Sequence, residues 1–197
     1  MIVIGLTGGI GSGKSTVSRI LEELGARIID MDKLGHELYR AGTPGWEEVV
    51  AEFGSDILQP NREVDRKKLG QIVFSDPEAL KRLNRVMHPK IKRRAQEVLD
   101  EWRQQGVAVA VVEAAILIEA SWASLTDEVW VTVASEKVAV SRMKERGFAP
   151  EQVLARVRSQ MPVEEKAKQA QVVLHNDGNL AALRRQVEAQ WQRLNPS

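Results

Sequence analysis

The chain has 197 residues, with 28 lysines and arginines against 27 aspartates and glutamates, which gives a formal net charge of +1. This near balance argues against a dedicated nucleic-acid-binding protein, because such proteins usually carry a strongly basic domain. The absence of cysteine excludes disulfides, thiolate metal sites and cysteine nucleophiles. The longest apolar stretch, residues 107–118, is too short to span a bilayer and contains Glu113. The N-terminus has no basic segment before its first apolar run. We therefore expect a globular protein of the cytoplasm, with no membrane segment and no nucleic-acid partner.

Short apolar runs alternate with helical patterns along the chain. The first run, residues 1–6, leads into a glycine-rich stretch and then into a helical pattern at 15–24 that Gly25 ends. Further apolar runs at 26–29, 107–112, 128–133 and 172–174 are typical of buried parallel strands. A closing helix carries its apolar residues on one face: Leu180, Leu183, Val187, Trp191 and Leu194. This order predicts an α/β fold, a parallel sheet flanked by helices.

Two helical insertions interrupt this pattern. Residues 33 to about 105 read as helical, with breaks at 42–45, 59–61 and 76–77, and we expect His88-Pro89 to begin the last long helix of the segment. Residues 135 to about 169 read as charged helices, interrupted at 147–150 and at Pro162. We therefore predict one domain over residues 1–197, with an insertion at 33–105 and a second helical segment at 135–169.

The glycine-rich stretch matches the phosphate-loop motif in full, as Gly8-x-x-x-x-Gly13-Lys14-Ser15. Such a loop curls around phosphate groups and points backbone N–H groups at them, which glycines permit by their backbone freedom and small size. The following helix adds its positive N-terminal end. Lys14 can reach the β- and γ-phosphates, and the Ser15 hydroxyl can bind Mg²⁺. Nucleoside triphosphate binding is therefore predicted, with these loop residues in contact: Gly8, Gly9, Gly11, Ser12, Gly13, Lys14, Ser15 and Thr16.

A phosphate loop serves GTPases, ATPases and kinases alike, so other residues must distinguish them. Residues 32–35 fit the Asp-x-x-Gly element of GTPases, but no Asn-Lys-x-Asp follows anywhere in the chain. Asp30 and Asp32 lie at the end of the predicted second strand, and an extended backbone would point both carboxylates to one side. One of them can then orient a substrate hydroxyl and accept its proton, which favours a kinase. The alternative is that they cap the next helix.

Basic residues in the second helical segment suit a lid that neutralises transition-state charge. Arg142 and Arg146 are four apart and therefore share a helix face. A solvated helical face with ion pairs to Glu145 or Glu151 is the competing interpretation. Residues 62–103 are also rich in lysine and arginine, which fits either an anionic substrate or an exposed helical surface. No histidine has a partner at metal-ligand spacing, so a zinc site is not expected.

The sequence resembles the dephospho-coenzyme A kinase family over nearly the whole chain. The resemblance includes residues 5–16, Ile29-Asp30-Met31-Asp32 with His36, Asp65 to Leu69, and Asn84 to Pro89. It continues in Gln160-Met161-Pro162 with Lys166, which is similar to the family's lid, and in Asn176-Asp177-Gly178, similar to its last loop. The aspartate pair and the His-Pro segment make the resemblance specific, because the phosphate loop alone is shared by many kinases.

This resemblance implies transfer of the ATP γ-phosphate, with Mg²⁺, to the ribose 3′-hydroxyl of dephospho-coenzyme A. It implies a P-loop kinase core with a substrate-binding insertion and a lid. Asp32 matches the family's proposed base, Lys14 and Ser15 the triphosphate and Mg²⁺ contacts, and Arg142 and Arg146 the lid arginines. Asn176 falls in the last loop, as a further ATP contact, and His88 falls in the substrate-side segment.

One segment departs from the family's pattern. The family usually carries Asp-x-Pro-Leu-Leu-x-Glu after its third strand, whereas this chain has Glu113, Ala115 and Glu119 at the positions of the Asp, Pro and Glu. Glu113 can reach Mg²⁺ through a water molecule or can simply end the strand. Two other functions stay open: a phosphate-loop kinase acting on another small alcohol or nucleotide, and a nucleotide-dependent switch. Acceptor-dependent turnover would distinguish them.

Overall fold

The computed structural model describes residues 1–145, 147 and 160–194. The chain divides into two compact units. Met1–Asp30 and Leu99–Ser197 form one of them, which we call the sheet unit, and Met31–Val98 form the other, which we call the helical unit. The sheet unit contains the phosphate loop, and the helical unit contains most of the predicted insertion at 33–105.

A parallel sheet organises the sheet unit. Its strands are β1 (Ile2–Gly8), β2 (Arg27–Asp30), β3 (Val109–Glu113), β4 (Glu128–Val133) and β5 (Val172–His175). They lie in the order β2-β3-β1-β4-β5, with every neighbouring pair parallel. The predicted strands are confirmed, with ends that differ by at most two residues. Because β1 occupies the centre, its carboxyl end delivers the phosphate loop to the middle of the sheet edge where ligands bind in such folds.

The described part of the chain contains eight α-helices. In chain order they are α1 (Lys14–Glu23), α2 (Met31–Leu38), α3 (Pro44–Phe53), α4 (Arg66–Ser75), α5 (Pro77–Gln104), α6 (Glu136–Glu145), α7 (Val163–Lys168) and α8 (Leu180–Leu194). In the sheet unit, α1 packs against α8, and both contribute to one core with the strands. That core contains Ile4 and Leu6 of β1, Ile20 of α1, Trp130 of β4 and Val187 of α8. Each buried Å² of apolar surface contributes about 25 cal/mol to folding. The buried core therefore stabilises β1, the strand that carries the loop.

The helical unit begins where β2 ends. Its helices start at recognisable caps: the Thr43 hydroxyl accepts a 3.2 Å hydrogen bond from the Trp46 N–H at the start of α3, and the Asp65 carboxylate accepts bonds from Lys67 and Lys68 at the start of α4. A β-bridge between Leu58 and Val64 closes the connection between these helices.

The long helix α5 corrects one prediction. His88-Pro89 does not begin this helix, because α5 starts at Pro77 and carries Pro89 in its interior. A proline inside a helix removes one backbone hydrogen bond and usually bends or breaks it. Here the apolar side chains of Met87, Ile91 and Ala95 are buried on both sides of the proline, and this packing outweighs the lost bond.

Candidate active site

The phosphate loop connects β1 to α1 through residues that adopt backbone conformations suited to glycine. Gly11 and Gly13 have φ angles of 71° and 99°, in the left-handed region that side chains other than glycine rarely adopt. The Ser12 N–H donates a 3.2 Å bond to the Gly9 carbonyl, which tightens the loop. Gly13 directly precedes α1, so the first N–H groups of the helix and those of the loop converge at one place. This is the anion-binding arrangement that the motif predicts.

The neighbours of the loop also leave no room for side chains at three of its glycines, Gly8, Gly11 and Gly13. A Cβ atom on Gly8 would lie 2.3 Å from Thr132 Oγ1, one on Gly11 would lie 2.7 Å from the Ala139 carbonyl, and one on Gly13 would lie 2.1 Å from Asn176 Nδ2. The loop is therefore enclosed by β4, by α6 and by the residue that follows β5.

Lys14 lies over the loop that precedes it. Its Nζ donates to the carbonyls of Gly8 and Gly9, at 3.0 and 3.3 Å. An ammonium group held above loop carbonyls is a point charge at the phosphate position, which is the role that the motif gives this lysine.

Two hydroxyl groups connect the loop to β4. Ser12 Oγ and Thr132 Oγ1 share a 2.7 Å hydrogen bond, and Thr132 Oγ1 donates to the Thr7 carbonyl at 3.3 Å. All three side chains are buried. Because a buried hydroxyl without a hydrogen-bond partner is costly, these two hydrogen bonds hold the loop in one conformation.

Asn176 joins the loop to Arg142. Its Nδ2 donates a 2.7 Å bond to the Ser12 carbonyl, while its Oδ1 and its carbonyl accept bonds from Arg142 Nη2 at 3.3 and 2.9 Å. Arg142 Nη1 also reaches the Gly11 carbonyl at 3.4 Å. The expected ATP contact Asn176 therefore has its side-chain amide engaged within the protein, and only 6% of the residue is exposed.

A cavity of about 470 Å³ opens beside these residues. Its lining includes Gly11, Gly13, Thr16, Arg142, Asn176 and Leu180. Leu180 is 50% exposed, whereas Leu183 and Val187 of the same predicted helix face are buried. An exposed leucine at a helix start beside a guanidinium provides flat apolar and cationic surfaces, which suit a planar base.

Asp177 supports this edge of the cavity. Hydrogen bonds from the side chain and the N–H of Ser135 lower the pKa of its carboxyl group below the usual value, and the Ser135 N–H lies 2.6 Å from Oδ1. The Asn176 N–H donates to the Val133 carbonyl, so the last loop continues the pairing of β4 with β5.

Glu113 ends β3 beside the phosphate-loop strand. Its register partner on β1 is Leu6, and its Oε2 accepts a 2.5 Å bond from Ser18 Oγ of α1. Ser15 lies one helical turn before Ser18, on a neighbouring part of the same helix surface, and is exposed. A hydroxyl and a carboxylate at this edge are the oxygen donors that Mg²⁺ prefers.

The structure corrects the argument that placed Asp30 and Asp32 on one side. That argument required an extended backbone, but α2 begins at Met31, so Asp30 ends β2 and Asp32 lies in the first turn of a helix. The other predicted acceptor residue, His88, is on α5 in the helical unit, where burial lowers the pKa of its imidazole. Arg146, the second predicted lid arginine, lies outside the described residues.

Lys166 is the residue that sequence reasoning missed. In the sequence it belongs to the segment that is similar to the family's lid, and no role was predicted for it. Its side chain is completely buried and forms a 2.9 Å ion pair with Glu119. The sequence contains no signal for this burial, because Val163–Lys168 is a short charged helix whose lysines look alike.

A central phosphate loop, parallel strands in the order β2-β3-β1-β4-β5 and flanking helices define this protein as a P-loop kinase in fold. Within the described ranges, no helix combines the length and apolarity that crossing a bilayer requires. The family model described as dephospho-CoA kinase matches residues 2–182. The chain therefore belongs to the dephospho-CoA kinase family.

Individual relatives agree with this assignment. The chain is 47% identical over 197 residues to a dephospho-CoA kinase of Geobacter sulfurreducens, covering 100% of both chains. Among solved structures, it is similar to TT1252 from Thermus thermophilus, with a TM-score of 0.82 and 36% identity over 98% of each chain. It is also similar to a dephospho-CoA kinase from Campylobacter jejuni, with a TM-score of 0.71 and 29% identity over 98% of this chain and 96% of that one.

Proposed function

We propose that the protein transfers the γ-phosphate of ATP to the ribose 3′-hydroxyl of dephospho-coenzyme A, which gives coenzyme A and ADP. The observation that carries this proposal is a complete phosphate loop at the central strand of a chain that belongs to the dephospho-CoA kinase family. The proposal makes the protein an enzyme of the last step of coenzyme A biosynthesis, and its location in the cytoplasm stays a prediction.

On the nucleotide side, the proposal assigns the triphosphate to the loop and the nucleoside to the cavity beside it. The N–H groups of residues 8–16 and the Lys14 ammonium bind the phosphates. Arg142 and Leu180 flank the planar base, and an arginine that Asn176 already holds in place needs little rearrangement to do so. The part of Arg142 in neutralising transition-state charge, together with Arg146, stays a prediction.

Mg²⁺ fits the donors at the end of β3. Among the described residues, no cluster of three or more His, Asp or Glu side chains is placed to hold a metal. Mg²⁺ at phosphoryl-transfer sites usually takes one or two protein oxygens together with phosphate oxygens and water. Ser15 would hold it directly, and Glu113 would hold it through a water molecule. When bound, the ion neutralises charge on the β- and γ-phosphates.

On the acceptor side, we propose that Asp32 orients the ribose hydroxyl and accepts its proton. Asp32 lies in the first turn of α2, where its carboxylate oxygens can accept a hydrogen bond, and then the proton, from an acceptor hydroxyl placed against them. His88 is proposed to contribute to acceptor binding as a neutral imidazole. The helical unit would then supply contacts to the acceptor. The lid at residues 135–169 stays a prediction, because residues 146 and 148–159 of it lie outside the described part of the chain.

The test is ADP release from Mg²⁺-ATP by the purified protein, with dephospho-coenzyme A or with the decoy acceptors shikimate, gluconate and AMP. Strong stimulation by dephospho-coenzyme A alone is expected. Stimulation by a decoy would favour another small-molecule kinase. Slow turnover that no acceptor changes would favour a nucleotide-dependent switch.

A further inference from the structure

The buried polar side chains of the described chain concentrate around one end of the sheet. They are Thr7, Ser12, Ser18, Thr132, Lys166 and Asn176. Five of these are neutral groups in or beside the phosphate loop, or bonded to Glu113. Lys166 is the one charged side chain among them, and it lies on α7, at the C-terminal side of the candidate lid. A lysine with no exposed surface requires a specific reason, because burial of an ammonium group is expensive.

The Lys166 ammonium group has two hydrogen-bond acceptors. Its Nζ donates to the Ala115 carbonyl at 2.5 Å and to Glu119 Oε1 at 2.9 Å. Both acceptors belong to residues 113–119, the segment after β3 that departs from the family's pattern. Ala115 stands where the family's pattern has proline, a residue that would fix the backbone φ angle at this position.

The Ala115 carbonyl connects Lys166 to the strand of the phosphate loop. It accepts a second bond from Thr7 Oγ1, at 3.3 Å, and Thr7 directly precedes Gly8. The Ala114 N–H donates to the Leu6 carbonyl at 3.0 Å, which holds the start of the segment against the same strand. The helix α7 itself packs against β1 and β4. Lys166 therefore binds residues 113–119 at the point where β1 becomes the loop.

Glu119 connects the same group to the chain before α7. Its Oε1 accepts a 2.9 Å bond from the Met161 N–H in addition to the bond from Lys166. The Glu119 carboxylate thus binds both ends of the segment 161–166, at Met161 and at Lys166, and the Glu119 side chain is only 22% exposed.

We propose that Lys166 is a positioning residue for phosphoryl transfer. This inference rests on the function proposed above. Lys166 contacts neither substrate in this assignment; it acts through the Ala115 carbonyl and Glu119, which set the position of the 113–119 segment, and with it Glu113, against β1 and the phosphate loop. Small displacements of groups at a phosphoryl-transfer site reduce the rate strongly, about 100-fold for a displacement of 1 Å.

The competing explanation is that the ion pair only stabilises the fold. The two explanations differ in what happens when both charges are replaced by apolar side chains of similar size. Such a replacement removes the unpaired buried charge and is often neutral for stability. It does not restore the bond to the Ala115 carbonyl, so a positioning role predicts that stability recovers while the rate does not.

The experiment compares Lys166→Met, the double variant Lys166→Met/Glu119→Met, and Lys168→Met as the matched control. Lys168 is on the same helix, but its side chain is 69% exposed and, within the described ranges, pairs with Glu165 alone, so its variant should behave like the parent protein. For each protein, kcat and KM for ATP, the midpoint of thermal unfolding and amide hydrogen exchange in peptides covering residues 114–119 are measured.

We expect Lys166→Met to lower the unfolding midpoint by roughly 10 °C, because it leaves Glu119 without its ammonium partner. The double variant should regain most of that loss, yet keep a kcat about 10-fold or more below the parent value with a KM for ATP within about twofold. Its peptides 114–119 should exchange faster than those of the parent. Recovery of kcat together with the unfolding midpoint, or unchanged exchange, would overturn the proposal.

Glu119→Gln keeps the proposal testable if the methionine variants do not fold. The amide oxygen preserves an acceptor for Lys166 and for the Met161 N–H, so at least about a third of kcat should remain if geometry is what matters. A loss as large as 10-fold in this variant would contradict the proposal. An inactive parent protein would overturn the proposed function, whereas the exchange of residues 114–119 would still test the role of Lys166.

Discussion

Asn176 holds the phosphate loop from outside, through the 2.7 Å hydrogen bond that its Nδ2 donates to the Ser12 carbonyl. The same side chain accepts a bond from Arg142 through Oδ1, so one amide couples the loop to the arginine that lines the neighbouring cavity. An amide is suited to this position because it offers a donor and an acceptor on one rigid plane. Aspartate and alanine lack the donor, which makes the contribution of Asn176 measurable.

For Asn176→Ala we expect KM for ATP to rise about tenfold, because the loss of bonds to a buried carbonyl and to a guanidinium costs about 1–3 kcal/mol. Asn176→Asp keeps an acceptor for Arg142 but cannot donate to Ser12, and it should not restore the parent KM. Asn61→Ala, at an exposed turn of the helical unit, is the control. An unchanged KM in Asn176→Ala would show that the bond to Ser12 does not shape the nucleotide site.

Lys14→Ala should abolish useful phosphoryl transfer, since the ammonium above the loop carbonyls is the point charge assigned to the β- and γ-phosphates. The protein should still fold, because Lys14 is at the first turn of α1 and outside the buried core. Single-turnover transfer from ATP checks the rate, and Lys168→Ala, at an exposed lysine on α7, serves as the control. Substantial transfer by Lys14→Ala would remove the lysine from the mechanism.

Asp32→Asn should lower kcat roughly 100-fold or more, within the range expected for a general base, while ATP binding stays nearly unchanged. Asp30→Asn is the informative comparison, because α2 begins between the two residues and separates their environments. Only the Asp32 variant is expected to show the loss in kcat. Full activity of Asp32→Asn would exclude it as the base, and an equal loss in both variants would argue against a specific role.

Ala115→Pro should raise the unfolding midpoint by roughly 1–3 °C and leave kcat unchanged. Among the described contacts the Ala115 N–H donates no hydrogen bond, so proline removes nothing and reduces the freedom of the unfolded chain, which is worth about 0.4–1 kcal/mol. Ala114→Pro is the matched control, because the Ala114 N–H does donate, to the Leu6 carbonyl, and this variant should be destabilised. A lower midpoint for Ala115→Pro would mean that the segment has a backbone conformation that proline cannot adopt.

His88 should make the stability of the protein depend on pH. Burial lowers the pKa of its imidazole in the folded state, so the unfolded chain takes up the proton at a higher pH. The stability associated with a neutral His88 is therefore complete above the unfolded pKa of about 6.5 and is lost as the pH falls through the folded value. As the pH falls from about 8 to about 5, the unfolding midpoint of the parent protein should therefore decrease more than that of His88→Gln, which has no imidazole to protonate. A constant difference would contradict this assignment.

The parts of the fold that sequence patterns predicted well are those in which local sequence and burial agree. The β-branched runs of β1, β3 and β4 are buried almost throughout, and the phosphate loop is a local motif whose shape depends on its own glycines. Predictions failed where a distant contact decides. Packing of Met87 and Ile91 keeps Pro89 inside α5, and α2 begins at Met31, directly after Asp30, which removes the extended backbone that the prediction for the aspartate pair required.

The residues of the candidate site also fall into those that the sequence predicted and those that depend on contacts between distant parts of the chain. Spacing alone identified Lys14, Ser15 and the loop glycines, because they are close together in sequence. The partners of Lys166 are 47 and 51 residues away, at Glu119 and Ala115, and no periodicity connects residues over such distances. The engagement of Asn176 with Ser12 spans 164 residues and could be seen only after the strands had been assembled.

The close approach of Thr132, Ala139 and Asn176 to the loop glycines has a consequence for protein engineering. Gly8, Gly11 and Gly13 each face a different neighbour, and these neighbours come from three separate stretches of chain. A graft of residues 8–15 into another scaffold would carry the motif but not these three neighbouring residues, and the loop would sample many conformations before binding a phosphate. The transplantable module of this enzyme is thus discontinuous, and a successful graft would have to bring Thr132, Ala139 and Asn176 along with the loop.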